Sequence, residues 1–417
     1  VSLALIQRSG EKELGLYARV VRLTVTLLKS LRQGLRLQTQ TLLQKVFLPV
    51  LLKRQFAEQL EHQELAMLGL FDLCSQPTFA VELYANFDCE IGSPDLLQEL
   101  CAALATSAAP DENGQMQIRN SLSLEIVSTM FARLSEGCDL GVGGTEDAEL
   151  EGVAAQCREQ HTLKQELMVC VELFNDRPKK GLQMFATKGF VPQSMEPKAV
   201  AEFLRTTPVL HKDKLGELFG EPEDIYIGVL RAWLDAFDFA SLEFDAAIRV
   251  FLESFRLPGE AQKIDRIMEA FAKRYFEQRQ SHFANEDAAF VLAFSLIMLN
   301  TNQHSPQLKD RERMSLEEFL TNNRGINDGE SFPEDFMKLL YDSITDNEIK
   351  MSDDADGSGI TADIWDDRLR QARSLDRPMR AFGLQQCSAF CYDACQTAWA
   401  SCGNVLLEHF PTLQAEV

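Results

Sequence analysis

Apolar residues recur with the period of an α-helix along most of this chain. In the segment SLEFDAAIRVFLESFR, residues 241–256, they return every three or four positions, so one helix face is apolar and the other is charged. No segment sustains an alternation of apolar and polar residues, and no hairpin dipeptide separates two apolar runs. We therefore predict an all-α protein.

Two breaks in this pattern divide the chain. Residues 136–160 are rich in Gly, Asp and Glu and carry no apolar stripe, and residues 352–363 have a similar composition. Such segments bury too little apolar surface to offset the entropy of ordering them, so we predict linkers there. The remaining parts are a helical region at residues 1–135, a central helical domain at residues 161–351, and the start of a further helical domain at residues 364–417.

Charge is distributed unevenly along these parts. The chain has 41 Lys and Arg against 63 Asp and Glu, a formal net charge of -22, which disfavours a protein that binds nucleic acid. Residues 1–57 depart from this balance with ten basic and two acidic side chains. A solvated helix face explains that excess, and an anionic partner is the alternative.

Signals for export or membrane insertion are missing from the sequence. No stretch has the charged start, apolar core and cleavage site of a secretion signal, and the longest apolar run, Ala288–Leu299, is too short to cross about 30 Å of hydrocarbon. The chain starts at Val1 instead of Met, so we expect an excerpt of a longer protein. Ten cysteines without a C-x-x-C pair fit reduced thiols in the cytosol.

Several kinds of chemistry are excluded by missing motifs. No histidine has a Glu three residues before it, there is no H-E-x-x-H helix, and there is no phosphate-binding P-loop. Cys387, Cys391 and Cys395 share one helical face, but their spacing does not suit zinc or iron-sulfur sites, so we predict buried small side chains. The sequence DADGSG at 354–359 starts like a calcium loop but has Trp365 where a bidentate Glu is expected.

The central domain contains one acid in an unusual place. Glu260 follows the turn residues Pro258 and Gly259, on a short connection between two amphipathic helices. The helix dipole favours an acid at that position, which is a sufficient structural reason for it. The next helix, from Asp287 to about Leu299, is apolar nearly all round, so it is either fully buried or leaves one face open as a groove.

Three motifs in this region resemble the Sec7 catalytic domain of guanine-nucleotide exchange factors for Arf small GTPases. They are FRLPGEAQKID at Phe255–Asp265, SLIMLNTNQH at Ser295–His304 and NRGIN at Asn323–Asn327. The similarity covers about His161 to Met351 and includes ELFNDRPKKGLQMF, AVAEFLRT and LGELFG. It implies an elongated, two-lobed, right-handed α-superhelix for this part of the chain.

The resemblance also implies a mechanism and a set of site residues. In this family a carboxylate inserted near the β-phosphate and magnesium of the GTPase promotes GDP release, and here that role falls to Glu260. No covalent bond is made, and no metal or cofactor beyond the GDP and magnesium of the GTPase is implied. Ser305 stands where many members have Asn. The implied Arf-binding residues are Leu257, Pro258, Gly259, Phe294, Ile297, Met298, Asn300, Asn302 and His304.

A second resemblance lies upstream. The run ELYANFDCE at Glu82–Glu90 is similar to a box in the regulatory domain of the large Golgi-type members, with Glu90 where Asp is usual. The box residues are Asn86, Phe87, Asp88, Cys89 and Glu90. The resemblance implies an Arf-family partner, a cytosolic protein recruited to Golgi membranes, and an upstream domain that mediates either formation of a homodimer or recruitment of a partner. The segment ITADIWDDRLRQA favours the early-Golgi class over the late one.

Without these resemblances, the residues support only a non-catalytic all-α scaffold, such as a helical solenoid that binds partner proteins. The sequence shows no self-similar period of 30 to 45 residues, which a solenoid would have. Release of GDP from an Arf protein separates the two hypotheses.

Overall fold

The fold consists of α-helices. The structure is a computed structural model that describes residues 1–57, 59–110, 114–141, 148–207, 209–280, 282–305, 307–309, 312–349, 379–383 and 386–409, with Trp365 and Leu369. Within these ranges the regular elements are helical, and one isolated β-bridge joins Asn327 to Glu330. The all-α prediction is confirmed, whereas the right-handed superhelix stays a prediction. The predicted linker at 352–363 lies outside the described residues.

The chain divides into two compact units. Unit 1 comprises Val1–Gln165 with Asp356–Val417, and unit 2 comprises Glu166–Ala355. The predicted central domain began at His161, five residues before unit 2. These residues belong to unit 1 because they contact the box at residues 86–90: the His161 Nδ1 atom lies 3.1 Å from the carbonyl oxygen of Asp88.

Unit 1 is a helical bundle with an apolar core. Its helices are α1 (Ser2–Gln7), α2 (Leu14–Leu31), α3 (Arg36–Leu42), α4 (Leu48–Leu51), α5 (Leu60–Cys74), α6 (Phe79–Leu83), α7 (Leu96–Ala108), α8 (Ile118–Gly141) and the first part of α9 (Ala148–Asp176). Two π-helical segments, Leu43–Phe47 and Tyr84–Asp88, continue α3 and α6. Between α2 and α5, Gly69 lets the helices approach closely, since a Cβ there would lie 2.6 Å from a methyl group of Val21.

The last helix among the described residues, α19 (Ser388–His409), belongs to unit 1. It packs against α7 and α8 and buries one face completely. The prediction that residues 364–417 begin a separate downstream domain is therefore wrong, because this face completes a core that the first 165 residues leave open. The buried residues of this face are Cys387, Phe390, Cys391, Ala394, Ala398, Cys402 and Leu406.

The predicted linker at residues 136–160 is also corrected. Helix α8 continues to Gly141 and α9 begins at Ala148, while residues 142–147 lie outside the described residues. Small side chains replace the missing apolar stripe: Ala154 and Cys157 are fully buried. Gly137 is a packing residue, since a Cβ there would lie 2.3 Å from the sulfur of Cys391. The glycines and small residues that suggested a linker thus permit close helix packing.

Unit 2 is built from the end of α9 and nine further helices among the residues described for it. They are α10 (Pro178–Thr187), α11 (Pro197–Thr206), α12 (Lys212–Phe219), α13 (Asp224–Leu234), α14 (Phe244–Glu253), α15 (Ala261–Gln278), α16 (Glu286–His304), α17 (Leu316–Asn322) and α18 (Glu334–Asp346). A capping box of Ser315 and Glu318 begins α17.

Aromatic rings form much of the unit 2 core. Phe251 of α14 stacks on Phe271 of α15 with ring centroids 5.2 Å apart, and Phe244 meets Tyr275 edge-on at 4.9 Å. Edge and offset contacts of this kind add to the stabilisation from burial itself. The packed pair α14 and α15 fixes the geometry of the short connection between them, which carries Glu260.

Candidate functional site

The Glu260 side chain projects from a firmly anchored turn. Phe255 precedes the turn and is buried between the rings of Phe219 and Phe251, at centroid distances of 5.4 and 5.0 Å. Glu260 is the N-cap residue of α15, and its carbonyl oxygen accepts from the backbone of Lys263 and Ile264. Its carboxylate forms no capping bond, and the side chain is 72% exposed. The backbone is therefore fixed, while the charged group reaches into solvent.

Helix α12 supports this turn from below. The backbone N–H of Arg256 donates to the carbonyl oxygen of Lys212 at 3.0 Å. At Gly216 a Cβ would lie 1.8 Å from the carbonyl oxygen of Arg256, so only glycine allows this approach. The LGELFG segment therefore contributes to the site through its backbone, a role that its sequence does not reveal.

Glu260 is the first member of a chain of ion pairs. The Lys263 Nζ atom lies 3.7 Å from Glu260 Oε1 and 2.9 Å from Glu221 Oε1. Glu221 also pairs with Lys179 at 2.6 Å, and Lys179 pairs with Glu223 at 2.7 Å. The hydrogen bonds that the Lys179 ammonium group donates to Glu221 and Glu223 raise its pKa. With three acids and two bases, this cluster keeps one net negative charge.

Close packing keeps Lys263 in this cluster. A Cβ at Gly220 would lie 2.5 Å from the Cβ of Lys263, so the lysine stem rests directly on the glycine backbone. Its side chain is 16% exposed, far less than that of Glu260. Lys263 was not identified from the sequence, because nothing near it in the sequence indicates that it meets Glu221.

Helix α16 presents apolar side chains to solvent beside its buried face. Asn285 caps its start by accepting from the Ala288 N–H at 2.8 Å. Met298 is 64% exposed, and Phe294 and Ile297 are half-buried. The Phe294 ring contacts that of Phe290, one turn earlier, at 5.1 Å. The predicted alternative of a helix with one open apolar face thus applies to α16.

The polar residues at the end of α16 have partners inside unit 2. Asn300 Oδ1 accepts from the Ile349 N–H at 2.7 Å, and Asn302 Oδ1 accepts from the Met314 N–H at 2.6 Å. The His304 Nε2 atom lies 2.7 Å from the carbonyl oxygen of Ile344. These side chains hold the following segments in place, and their contact with a partner stays a prediction. On the turn, Leu257 and Pro258 are half-buried and Gly259 is exposed.

A cleft of about 480 Å³ lies between α13, α15 and α16. Phe290 lines it, so it adjoins the exposed apolar face of α16. Its other walls carry both signs of charge. Its charged lining residues are Arg231, Asp235, Arg266, Glu269, Lys273, Arg274, Glu277, Glu286 and Asp287.

The box at Asn86–Glu90 forms hydrogen bonds to several other segments of unit 1. Asp88 accepts from the backbone N–H groups of Leu97 and Gln98 at 3.0 and 3.1 Å, which caps the start of α7. Burial raises the pKa of the Asp88 carboxyl to about 8, although these two backbone donors oppose the shift. Asn86 pairs with the backbone of Arg380 through both atoms of its amide.

Other box residues connect two more helices. The Arg36 guanidinium of α3 donates to Glu90 Oε2 at 2.7 Å, and the buried Lys164 ammonium of α9 donates to the carbonyl oxygen of Phe87 at 2.8 Å. A hydrogen bond with the Cys89 thiol lowers the pKa of Cys157, and the Arg380 guanidinium at 3.0 Å contributes to the same shift. All five box residues therefore hold unit 1 together.

Two family models match the chain. Residues 163–349 match the Sec7 domain, and residues 1–96 match the HUS domain of the Mon2/Sec7/BIG1-like type. Among the described residues, no helix has the length and apolar character needed to cross a bilayer.

Curated relatives match most of the chain. The chain is 34% identical to ARF guanine-nucleotide exchange factor GNOM of Arabidopsis thaliana, over 85% of this chain and 26% of that protein. It is 33% identical to Brefeldin A-inhibited guanine nucleotide-exchange protein 2 of the same plant, over 84% of this chain and 22% of that protein. The chain thus spans about a quarter of the length of these relatives.

Solved structures match the central part. The crystal structure of the Sec7p catalytic domain is 44% identical, over 44% of this chain and 95% of that chain, with a TM-score of 0.41. A structure of ARF1-GDP bound to a Sec7 domain complexed with Brefeldin A is 41% identical, over 45% of this chain and 94% of that chain, with a TM-score of 0.42.

Proposed function

Because the chain belongs to the Sec7 family, with a HUS-type region ahead of its Sec7 domain, we propose that it promotes GDP release and GTP loading on an Arf-family small GTPase. One observation carries the proposal. The exposed carboxylate of Glu260 stands on a turn that α12, α14 and α15 hold rigid. A charge fixed before its partner arrives needs no reorganisation when it acts.

The carboxylate acts by electrostatic competition. A GTPase retains GDP through magnesium and through donors around the β-phosphate. When Glu260 enters that site, it repels the phosphate and competes for the same positive charges. The ion-pair cluster supports this role because its three acids and two bases leave one net negative charge in the cluster that contains Glu260. No bond is made or broken, and the GDP and magnesium belong to the GTPase.

The open face of α16 supplies the recognition surface. The exposed Met298 and the half-buried Phe294 and Ile297 form an apolar strip, which suits an apolar switch segment of a GTPase. The turn residues Leu257, Pro258 and Gly259 border the partner at the other side of Glu260. Asn300, Asn302 and His304 act by holding the end of α16, since their side chains bond to the backbone of unit 2.

The family resemblance also supports a proposal about the protein's location and role in the cell. We propose a protein that is recruited from the cytosol to Golgi membranes and regulates Arf signalling and vesicle coat recruitment there, with a homodimer formed through unit 1. Similarity to large exchange factors along 84 to 85% of the chain supports this part.

A nucleotide-release assay tests the activity. An Arf protein loaded with fluorescent GDP and magnesium is mixed with excess GTP, with and without the 417-residue chain. We expect the chain to accelerate the loss of fluorescence in proportion to its concentration. Unchanged release, together with binding of Arf in a pull-down, would favour the non-catalytic scaffold.

A further inference from the structure

A small cavity in unit 1 has a positively charged lining. It has a volume of about 190 Å³ and lies where the end of α4, the end of α7 and the start of α8 meet. Lys53 and Arg119 line it together with Thr106 and Asn120, and no acid is among the described residues of its wall. Its two cations therefore face a space without a counter-charge from this wall.

Arg119 is the unusual group in this cavity. The residue is 7% exposed, and within the part of the chain that the structure describes no hydrogen bond or ion pair reaches its guanidinium. Burial lowers its pKa, and no neighbouring charge contributes to the shift. A buried charge without a partner is strongly destabilising, so proteins rarely keep one unless something neutralises it.

Other buried cations of unit 1 show how the fold normally treats such groups. Arg32 is 9% exposed and donates to Glu82 and to Thr78. Lys164 is 2% exposed and has both Asp95 and the carbonyl oxygen of Phe87 as partners. Arg119 departs from this pattern, and it does so at the wall of a cavity.

The start of α8 adds a second reason for an anion. Arg119 is the second residue of this 24-residue helix. The N–H groups of Asn120 and Ser121 donate to the Gln117 carbonyl oxygen, which leaves those of Ile118 and Arg119 without an acceptor among the described residues. The helix dipole also favours a negative charge at this end. Asn120 makes the site rigid, because its Oδ1 accepts from the Gln117 N–H and its Nδ2 donates to the carbonyl oxygens of Ser107 and Ala109.

We propose that this cavity binds a phosphate group, held by Arg119 and Lys53 at the N-terminus of α8. The planar guanidinium donates in pairs to phosphate oxygens, and the lysine adds a point charge. The volume is below the range of about 300–1,000 Å³ typical of drug-sized ligands, so a single phosphate fits and a nucleotide does not. A lipid headgroup and free inorganic phosphate share this chemistry.

Thermal unfolding of the 417-residue chain tests the site. We expect inorganic phosphate to raise the unfolding midpoint above that in sodium chloride of equal ionic strength, because a ligand of the folded state stabilises it. Arg119→Met should abolish the increase and leave the protein without phosphate at least as stable, since an unpaired buried charge is removed. Arg22→Met, at an exposed position of α2, is the control and should keep the increase.

A second variant tests the site in case Arg119→Met fails to fold. Lys53→Gln changes an exposed side chain and should weaken phosphate binding by about tenfold, the loss expected for one charge-assisted hydrogen bond. The proposal is overturned if phosphate gives no increase for the unaltered chain, or if Arg119→Met and Lys53→Gln both respond to phosphate as the unaltered chain does.

Vesicle sedimentation distinguishes the two sources of phosphate. Sedimentation with phosphatidic acid vesicles but not with phosphatidylcholine vesicles, lost in Arg119→Met, identifies a lipid headgroup. A phosphate-dependent midpoint without vesicle binding identifies free phosphate. Equal sedimentation of the Arg119→Met variant and the unaltered chain contradicts a lipid ligand at this site.

Discussion

The Asn86 side chain pairs with the backbone of Arg380 through two hydrogen bonds. Its Oδ1 accepts from the Arg380 N–H at 2.6 Å, and its Nδ2 donates to the Arg380 carbonyl oxygen at 3.0 Å. The same Nδ2 also donates to the carbonyl oxygen of Glu82 at 2.8 Å. The pair joins segments 294 residues apart in the chain, so a single amide holds the returning segment of unit 1 against the box.

Replacement of Asn86 should therefore destabilise unit 1. Asn86→Ala leaves the Arg380 N–H and two carbonyl groups without their partner, and we expect a loss of about 1–3 kcal/mol in the free energy of unfolding. Urea denaturation measures it. The control is Asn322→Ala at an exposed position of α17, which should stay within about 0.5 kcal/mol of the unaltered chain. Equal stability of the two variants would contradict this role.

Reversal of the charge at Glu260 should abolish nucleotide exchange and spare binding. In Glu260→Lys, a cation replaces the carboxylate that competes with the phosphate, whereas the apolar strip on α16 is unchanged. Release of fluorescent GDP and Arf pull-down measure the two properties. Glu202→Lys, an exposed reversal on α11, should exchange normally. Normal exchange by Glu260→Lys would falsify the mechanism.

Lys263 should position the Glu260 carboxylate. Its ammonium lies between Glu260 and Glu221. Lys263→Ala therefore removes the cation beside Glu260, although Glu221 still pairs with Lys179, while Lys263→Arg keeps a cation there. Since exposed ion pairs are weak, we expect exchange to slow by no more than about fivefold in the Ala variant and to recover in the Arg variant. The difference should shrink at high salt. A loss that the Arg variant and salt leave unchanged would indicate a packing defect instead.

The exposed strip on α16 should be required for complex formation. Met298→Asp places a charge where an apolar contact is proposed, so the affinity for the GTPase should fall by about tenfold or more. Leu339→Asp is the matched control, because Leu339 on α18 is 69% exposed and lies outside the strip. Titration calorimetry with Arf-GDP measures both. Equal affinity for both variants places the binding surface elsewhere.

Asp88 should make the stability of unit 1 depend on pH. Burial raises its pKa to about 8 in the folded state, whereas an unfolded aspartate titrates near about 3.9. Between these values the folded chain binds more protons, so stability should fall as the pH rises from about 4 to about 8. Asp88→Asn cannot ionise and should lose this component. Parallel stability curves for the two proteins over that range would argue against a buried, protonated Asp88.

Local patterns predicted the helices well. The apolar positions of α14 are the ones that the structure buries, because burial of one face at every turn leaves its period in the sequence. The linker at residues 136–160 was predicted wrongly because helices that pack through small residues leave no apolar period in the sequence. Ala154, Cys157 and Gly137 pack closely without large apolar side chains, and composition alone cannot distinguish that from a chain that packs against nothing.

The site was predicted in part. The motif around Glu260 identified the turn and the acid through resemblance, and Met298 is exposed on α16 as a recognition residue should be. Asn300, Asn302 and His304 looked like a polar rim but bond to backbone groups of later segments. The partner of a polar side chain is set by the path of the whole chain, which its neighbours in sequence do not report.

By itself the sequence determined the all-α class, the helix faces and the place of one acid on a tight turn, since each of these follows from residues within a few positions of one another. Only the tertiary structure decided that α19 completes unit 1, that Gly216 seats the turn of Glu260, that Lys263 meets Glu221, and that Arg119 has no partner among the described residues. These are contacts between distant segments. They depend on close approach and on the balance of buried charge, which exist only after the chain has folded.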